Sequence, residues 1–176
     1  MKRKIYDKLM DWKKNSKGKT ALLIEGARRV GKSYITLEFA KNNYKSYLLI
    51  DFSYTNEKVK NLFNEYVDNL DMLFFYLKEY YNVELYNRES LIIFDEVQFC
   101  PKARSAIKQL VADGRYDYIE TGSLISIHKN VKDILIPSEE EKITLYPMDF
   151  EEFLWAIGNE TLMDYIKKCF AERKPL

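Results

Sequence analysis

Thr20-Ala-Leu-Leu-Ile-Glu-Gly-Ala-Arg-Arg-Val-Gly-Lys-Ser33 decides how the rest of the chain is read. Ala21–Ile24 is a short apolar run of the kind that forms a buried strand, here over Thr20–Glu25. It enters a glycine turn, and Lys32–Asn42 follows with apolar residues at helical spacing (Ile35, Leu37, Phe39, Ala40). Between strand and helix, Gly26–Ser33 fits G-x-x-x-x-G-K-[ST] at every position. Gly26 and Gly31 allow a close backbone wrap and dihedrals that a Cβ would forbid. Ala27, Arg28, Arg29 and Val30 supply the amides of that wrap, which form an anion nest reinforced by the helix N-terminus. Lys32 reaches terminal phosphates and Ser33 offers a hard oxygen to Mg²⁺. The expected nucleotide-binding stretch is Gly26 to Tyr34. A solvated strand-to-helix turn and a dinucleotide-binding turn are the competing readings. Asp51 suits the second, but Arg28 stands where its second glycine is required.

Working outward, Tyr47–Phe52, Leu91–Phe94, Tyr116–Glu120 and Lys142–Tyr146 read as further strands. Helical segments lie between them: Asn56–Tyr81, broken near Asn69–Asp71, then a helix opening at Pro101 and stopping at Gly114. Phe150–Ile157 starts another after the fifth strand, and Ile5–Lys14 is a short amphipathic helix at the beginning. Strands separated by helices imply parallel strands with both sheet faces covered. The fold class is therefore α/β.

The third strand ends on Asp95-Glu96, at the same sheet edge as the glycine loop. Asp95 is expected to hold Mg²⁺ with Ser33, and Glu96 to act as general base on a water. A pair of solvated acids at a strand end is the bland alternative. A glutamate beside the metal aspartate is typical of ATPases of the AAA/RecA-like division, and no N-K-x-D guanine-reading motif occurs, so ATP is preferred. The fourth strand runs into Thr121-Gly-Ser123. Ser123, with Thr121 second, is a candidate sensor of the γ-phosphate; a plain turn cap is an equal reading.

Gly-Ala-Arg-Arg-Val-Gly-Lys-Ser33, Ile-Phe-Asp-Glu-Val-Gln98, Thr-Gly-Ser-Leu124 and Tyr-Pro-Met-Asp-Phe-Glu-Glu-Phe-Leu154 together resemble a family of AAA-type P-loop ATPases of bacteria and archaea. The resemblance runs from about Thr20 to Leu154. It implies a three-layer P-loop NTPase with a parallel sheet in the order 5-1-4-3-2, and Mg-ATP as ligand. It implies catalytic roles for Lys32, Glu96 and Ser123, and a role for Gln98 in contacting nucleotide or coupling it to the next helix. Family members continue into a nuclease-like C-terminal domain. The chain is accordingly divided into a basic helix (1–19), an ATPase core (20–148) and a helical segment (149–176) leading toward a second domain. An arginine finger is expected from a homo-oligomer neighbour or from that domain, with Arg88, Arg104 and Arg115 as candidates and salt bridging as their ordinary role.

Composition excludes other classes. Lys plus Arg is 28 against 27 for Asp plus Glu, so overall charge argues for neither nucleic acid nor membrane. The basic 1–19 stretch reads as a solvated helix face. One histidine (His128) and two distant cysteines (Cys100, Cys169) make a zinc site or a Ser-His-Asp triad unpromising. No apolar run reaches membrane-spanning length, and a cytoplasmic location is expected. Two further functions stay open: a nucleotide switch with negligible hydrolysis, and a small-molecule kinase. The kinase needs an arginine-rich lid, and Ser123–Glu141 has no arginine. The Phe150, Phe153, Leu154, Trp155 block is packing material or a docking surface.

Overall fold

The computed structural model describes residues 2–123 and 139–174. Its five strands are β1 (Ala21–Gly26), β2 (Ser46–Asp51), β3 (Ser90–Asp95), β4 (Asp117–Ser123) and β5 (Glu140–Leu145). They form one sheet in the order β2-β3-β4-β1-β5, which is the expected order read from the other edge. Every pairing is parallel. The α/β three-layer architecture is as expected.

The layers follow from alternation along the strands. Leu22, Ile24, Leu91, Ile93 and Ile119 face one core with Leu9 and Trp12 of α1 (Ile5–Ser16) and Ile35 and Phe39 of α2 (Lys32–Asn43). Ala21, Leu48, Ile50, Ile92, Phe94 and Tyr118 face the other. There they meet Phe63 of α3 (Glu57–Tyr66), Leu77 of α4 (Leu70–Tyr81) and Leu110 of α5 (Pro101–Asp113). β1, β3 and β4 are buried along their whole length, as central parallel strands must be. Phe52, Phe63 and Phe94 lock the second core, with ring centroids 5.5–5.7 Å apart and tilted to edge-on geometry.

Local signals account for the boundaries. Asn69 accepts a hydrogen bond from the Met72 amide and restarts the chain as α4. Pro101 opens α5 and Gly114, at φ 74°, ends it. β5 begins two residues earlier than expected, at Glu140, and β4 runs on through Thr121, Gly122 and Ser123. The cause for β4 is its partner, because Ile24, Glu25 and Gly26 continue the ladder opposite those residues. After β5 come α6 (Phe150–Ala156) and α7 (Glu160–Glu172), the latter not singled out in the sequence. His128 lies outside the described residues.

Candidate functional site

Parallel pairing brings the C-terminal ends of β1, β3 and β4 to one edge. Gly26 stands opposite Ser123 on β4 and opposite Leu145 on β5. A Cβ on Gly26 would lie 2.3 Å from the Leu145 carbonyl oxygen, so glycine is required there for close approach. Gly31 serves differently. Its φ of 94° is a left-handed backbone, and it is the N-cap of α2. Arg29 within the loop is also left-handed, at φ 64°. The loop thus ends on the open N-terminus of a twelve-residue helix, where anions are favoured.

Lys32 is buried, and its ammonium donates to the carbonyls of Gly26 (3.3 Å) and Ala27 (2.8 Å). Burial lowers its pKa. Glu96 and then Asp95 oppose that shift, and Arg28 adds to it. Ser33 Oγ donates to Asp95 Oδ1 at 2.9 Å, which joins the glycine loop to the carboxylate strand. Thr121 Oγ1 donates to the same oxygen and accepts from the Glu96 amide at 3.2 Å. Thr121 is therefore a buried brace between the two acids. Ser123, also buried, has no hydrogen-bond partner for its hydroxyl among the described residues.

Glu96 sits at φ 52°, a left-handed conformation costly for a residue with a Cβ. It begins a single 3₁₀ turn, Val97–Phe99, that leads into α5. Its carboxylate accepts from the Gln98 amide, and Gln98 itself is buried. Among the described residues, no three His, Cys, Asp or Glu side chains converge to hold a metal by protein ligands alone. The pair Ser33 and Asp95 instead suits Mg²⁺, which keeps several waters and takes phosphate oxygens as ligands.

Ala27, Arg28, Arg29, Ser33 and Tyr34 are exposed along the loop and first helical turn. Arg104 is corrected as a finger candidate. It is fully buried, pairs with Glu120 of β4, and lies 2.9 Å from Glu140 of β5, so it cannot reach another subunit's nucleotide. Arg88 pairs with Asp117 (2.7 Å), and Arg115 pairs with Asp71 and Asp113 (2.6 and 2.7 Å). Both are engaged at the strand-start edge, opposite the loop.

Sequence reasoning missed Arg3 and Glu152. Arg3 falls in the stretch that reads as a solvated basic face, yet it is buried. It donates to Val30 O (3.0 Å) and Tyr146 O (2.9 Å), and its Nε lies 3.2 Å from Glu152 Oε1. Glu152 belongs to the quoted Tyr146–Leu154 block, which was the available signal.

The sequence model of the family described as AAA domain matches residues 18–154. No curated protein sequence matches the chain. Among solved structures, PCH-2 of C. elegans aligns with 90% of this chain and 43% of its own, at 15% identity and a TM-score of 0.39. The chain thus spans less than half the length of that structure.

Proposed function

The chain belongs to the AAA domain family, and from that premise we propose that it binds ATP with Mg²⁺ at Gly26–Ser33 and hydrolyses the γ-phosphate. The observation that carries this reading is the 2.9 Å contact between Ser33 Oγ and Asp95 Oδ1. It sets two hard oxygens side by side at the opening of the glycine loop, where a cation bridging terminal phosphates belongs. Bound Mg²⁺ would neutralise charge on the phosphoryl oxygens.

The remaining roles belong to the chain's own residues. Lys32, already within reach of the loop carbonyls, exchanges them for phosphate oxygens. Thr121 orients Asp95, and Glu96 takes the proton of the attacking water once its carboxylate leaves Gln98. Ser123 supports the sensor role through its buried hydroxyl, which lies opposite Gly26 and has no partner among the described residues. An arginine finger comes from a neighbouring subunit or domain, since Arg104 is enclosed in this chain's own core.

The test pairs two substitutions. Lys32→Ala abolishes binding of Mg-ATP in a calorimetric titration, and Glu96→Gln binds it without releasing phosphate. Undiminished affinity in Lys32→Ala overturns the site. A second reading, a nucleotide switch with negligible turnover, is favoured by the Gln98–Glu96 contact, which holds the general base. Phosphate release that stays at background in the isolated chain and rises in Gln98→Ala supports the switch.

A further inference from the structure

We propose that Arg3 is a positioning residue for the phosphate loop, and that Glu152 of α6 holds it there, so that nucleotide occupancy and the seating of α6 are coupled. The proposal rests on the ATP-binding reading for its ligand, and on the geometry of three distant segments for its substance.

A buried guanidinium is unfavourable unless its donors are matched. Arg3 is 4% exposed. One terminal nitrogen donates to Val30 O and the other to Tyr146 O, and Nε faces the Glu152 carboxylate. The two terminal nitrogens carry the hydrogen bonds, and Nε meets Glu152 as an ion pair without a hydrogen bond of its own. The fork of a guanidinium reaches all three groups at once, whereas a lysine ammonium is a single point of charge. Glu152 is held in turn. Its Oε1 accepts from the Lys4 amide (2.8 Å) and its Oε2 from the Asp149 amide (3.3 Å), closing a capping box on α6. Lys4 secures the same helix through Asp149 and Glu151, both at 2.7 Å.

The consequence for the loop comes from peptide geometry. In a trans peptide the carbonyl and the following N–H point in opposite directions. A guanidinium that fixes Val30 C=O therefore also fixes Gly31 N–H, turned away from Arg3. Gly31 is the left-handed residue where the loop becomes helix. Without Arg3, the Val30–Gly31 peptide loses its anchor at the residue with the widest conformational freedom. A donor to the carbonyl also polarises the N–H on the other side of the peptide, strengthening its bond to an anion.

The experiment combines Mg-ATP titration with amide hydrogen exchange of residues 27–34 and 148–156. It uses the full chain, Arg3→Ala, Arg3→Lys, Glu152→Gln, and Lys14→Ala as an exposed-charge control. Expected in Arg3→Ala are faster exchange at 27–34 without nucleotide and about tenfold or greater loss of Mg-ATP affinity, the scale of a lost charged hydrogen bond. Mg-ATP slows exchange at 148–156 in the parent chain and not in Arg3→Ala; Lys14→Ala behaves as the parent. Parental affinity and parental exchange in Arg3→Ala overturn the proposal. If Arg3→Ala fails to fold, parental affinity in both Arg3→Lys and Glu152→Gln overturns it. If the parent chain does not bind Mg-ATP, the ATP reading falls, and exchange at 27–34 without nucleotide still decides whether Arg3 anchors the loop.

Discussion

Lys32 donates its ammonium to two carbonyls of its own loop, a resting position that a phosphate oxygen would replace. Burial lowers its pKa from the usual lysine value. Binding of an anion favours the protonated form, so affinity is full below the depressed pKa and is lost as pH rises through it. Mg-ATP affinity of the parent chain is therefore expected to fall on the alkaline side earlier than an ordinary lysine, near pH 10.4, would allow. Titrations at stepped pH check this, and a flat profile up to that value argues against Lys32 as the phosphate ligand. At this scale the sequence was most legible where residue type and spacing encode a mechanism. Ser33 and Asp95 are far apart in the chain, yet the motif places them together. Arg3 was illegible because a lone arginine ahead of a helix carries no periodicity, and its three partners lie in segments that only the fold assembles.

The two glycines of the Gly26–Ser33 loop do different work at the scale of the elements. Gly31 provides a left-handed turn, and its nearest neighbour to an added Cβ, Arg3 Nη1, would be 3.6 Å away. Gly26 instead lets β5 press against β1, with backbone rather than a yielding side chain at 2.3 Å. Gly26→Ala is accordingly expected to destabilise the chain by roughly 1–3 kcal/mol, as overpacking does. Urea unfolding measures the loss, and exchange at 140–145 should rise with it as β5 is pushed from the sheet. Gly31→Ala should leave β5 exchange unaltered. The strands were readable as apolar runs between turn signals. The end of β4 was not, because Thr121-Gly-Ser123 has the composition of a turn and becomes strand only through pairing with β1.

Across the whole molecule, the second core contains an ionic centre. Arg104 of α5 is 1% exposed and joins Glu120 of β4 to Glu140 of β5, spanning β1 between them. Complete burial raises the Glu120 pKa well above the usual carboxylate range; Arg104 opposes the shift and Glu140 adds to it. A carboxyl with a raised folded pKa holds its proton more tightly when folded. Its contribution to stability is full below the unfolded value of about 4.3 and declines as pH rises toward the folded value. Glu120→Gln should flatten the fall of the urea midpoint as pH rises above about 4.3. Arg104→Ala strands two carboxyl groups in the core and should cost about 3–5 kcal/mol, read from the same unfolding curves. Composition showed none of this. An arginine in an amphipathic helix looks like any surface arginine until the strand order brings two glutamates beneath it.

That strand order also bears on how the molecule comes into being. β1 carries the Gly26–Ser33 loop and is the first of the described strands, yet both of its neighbours, β4 and β5, are the last two described. During synthesis β2 and β3 can pair at once, whereas β1 has no partner until Asp117 and then Glu140 have been made. Such non-local pairing closes late and slows folding. An apolar strand without partners is exposed to wrong associations in the meantime. The strand of this sheet written first is the one completed last, and chains interrupted before β4 would present an unsheltered Ala-Leu-Leu-Ile strand to whatever protects nascent polypeptides.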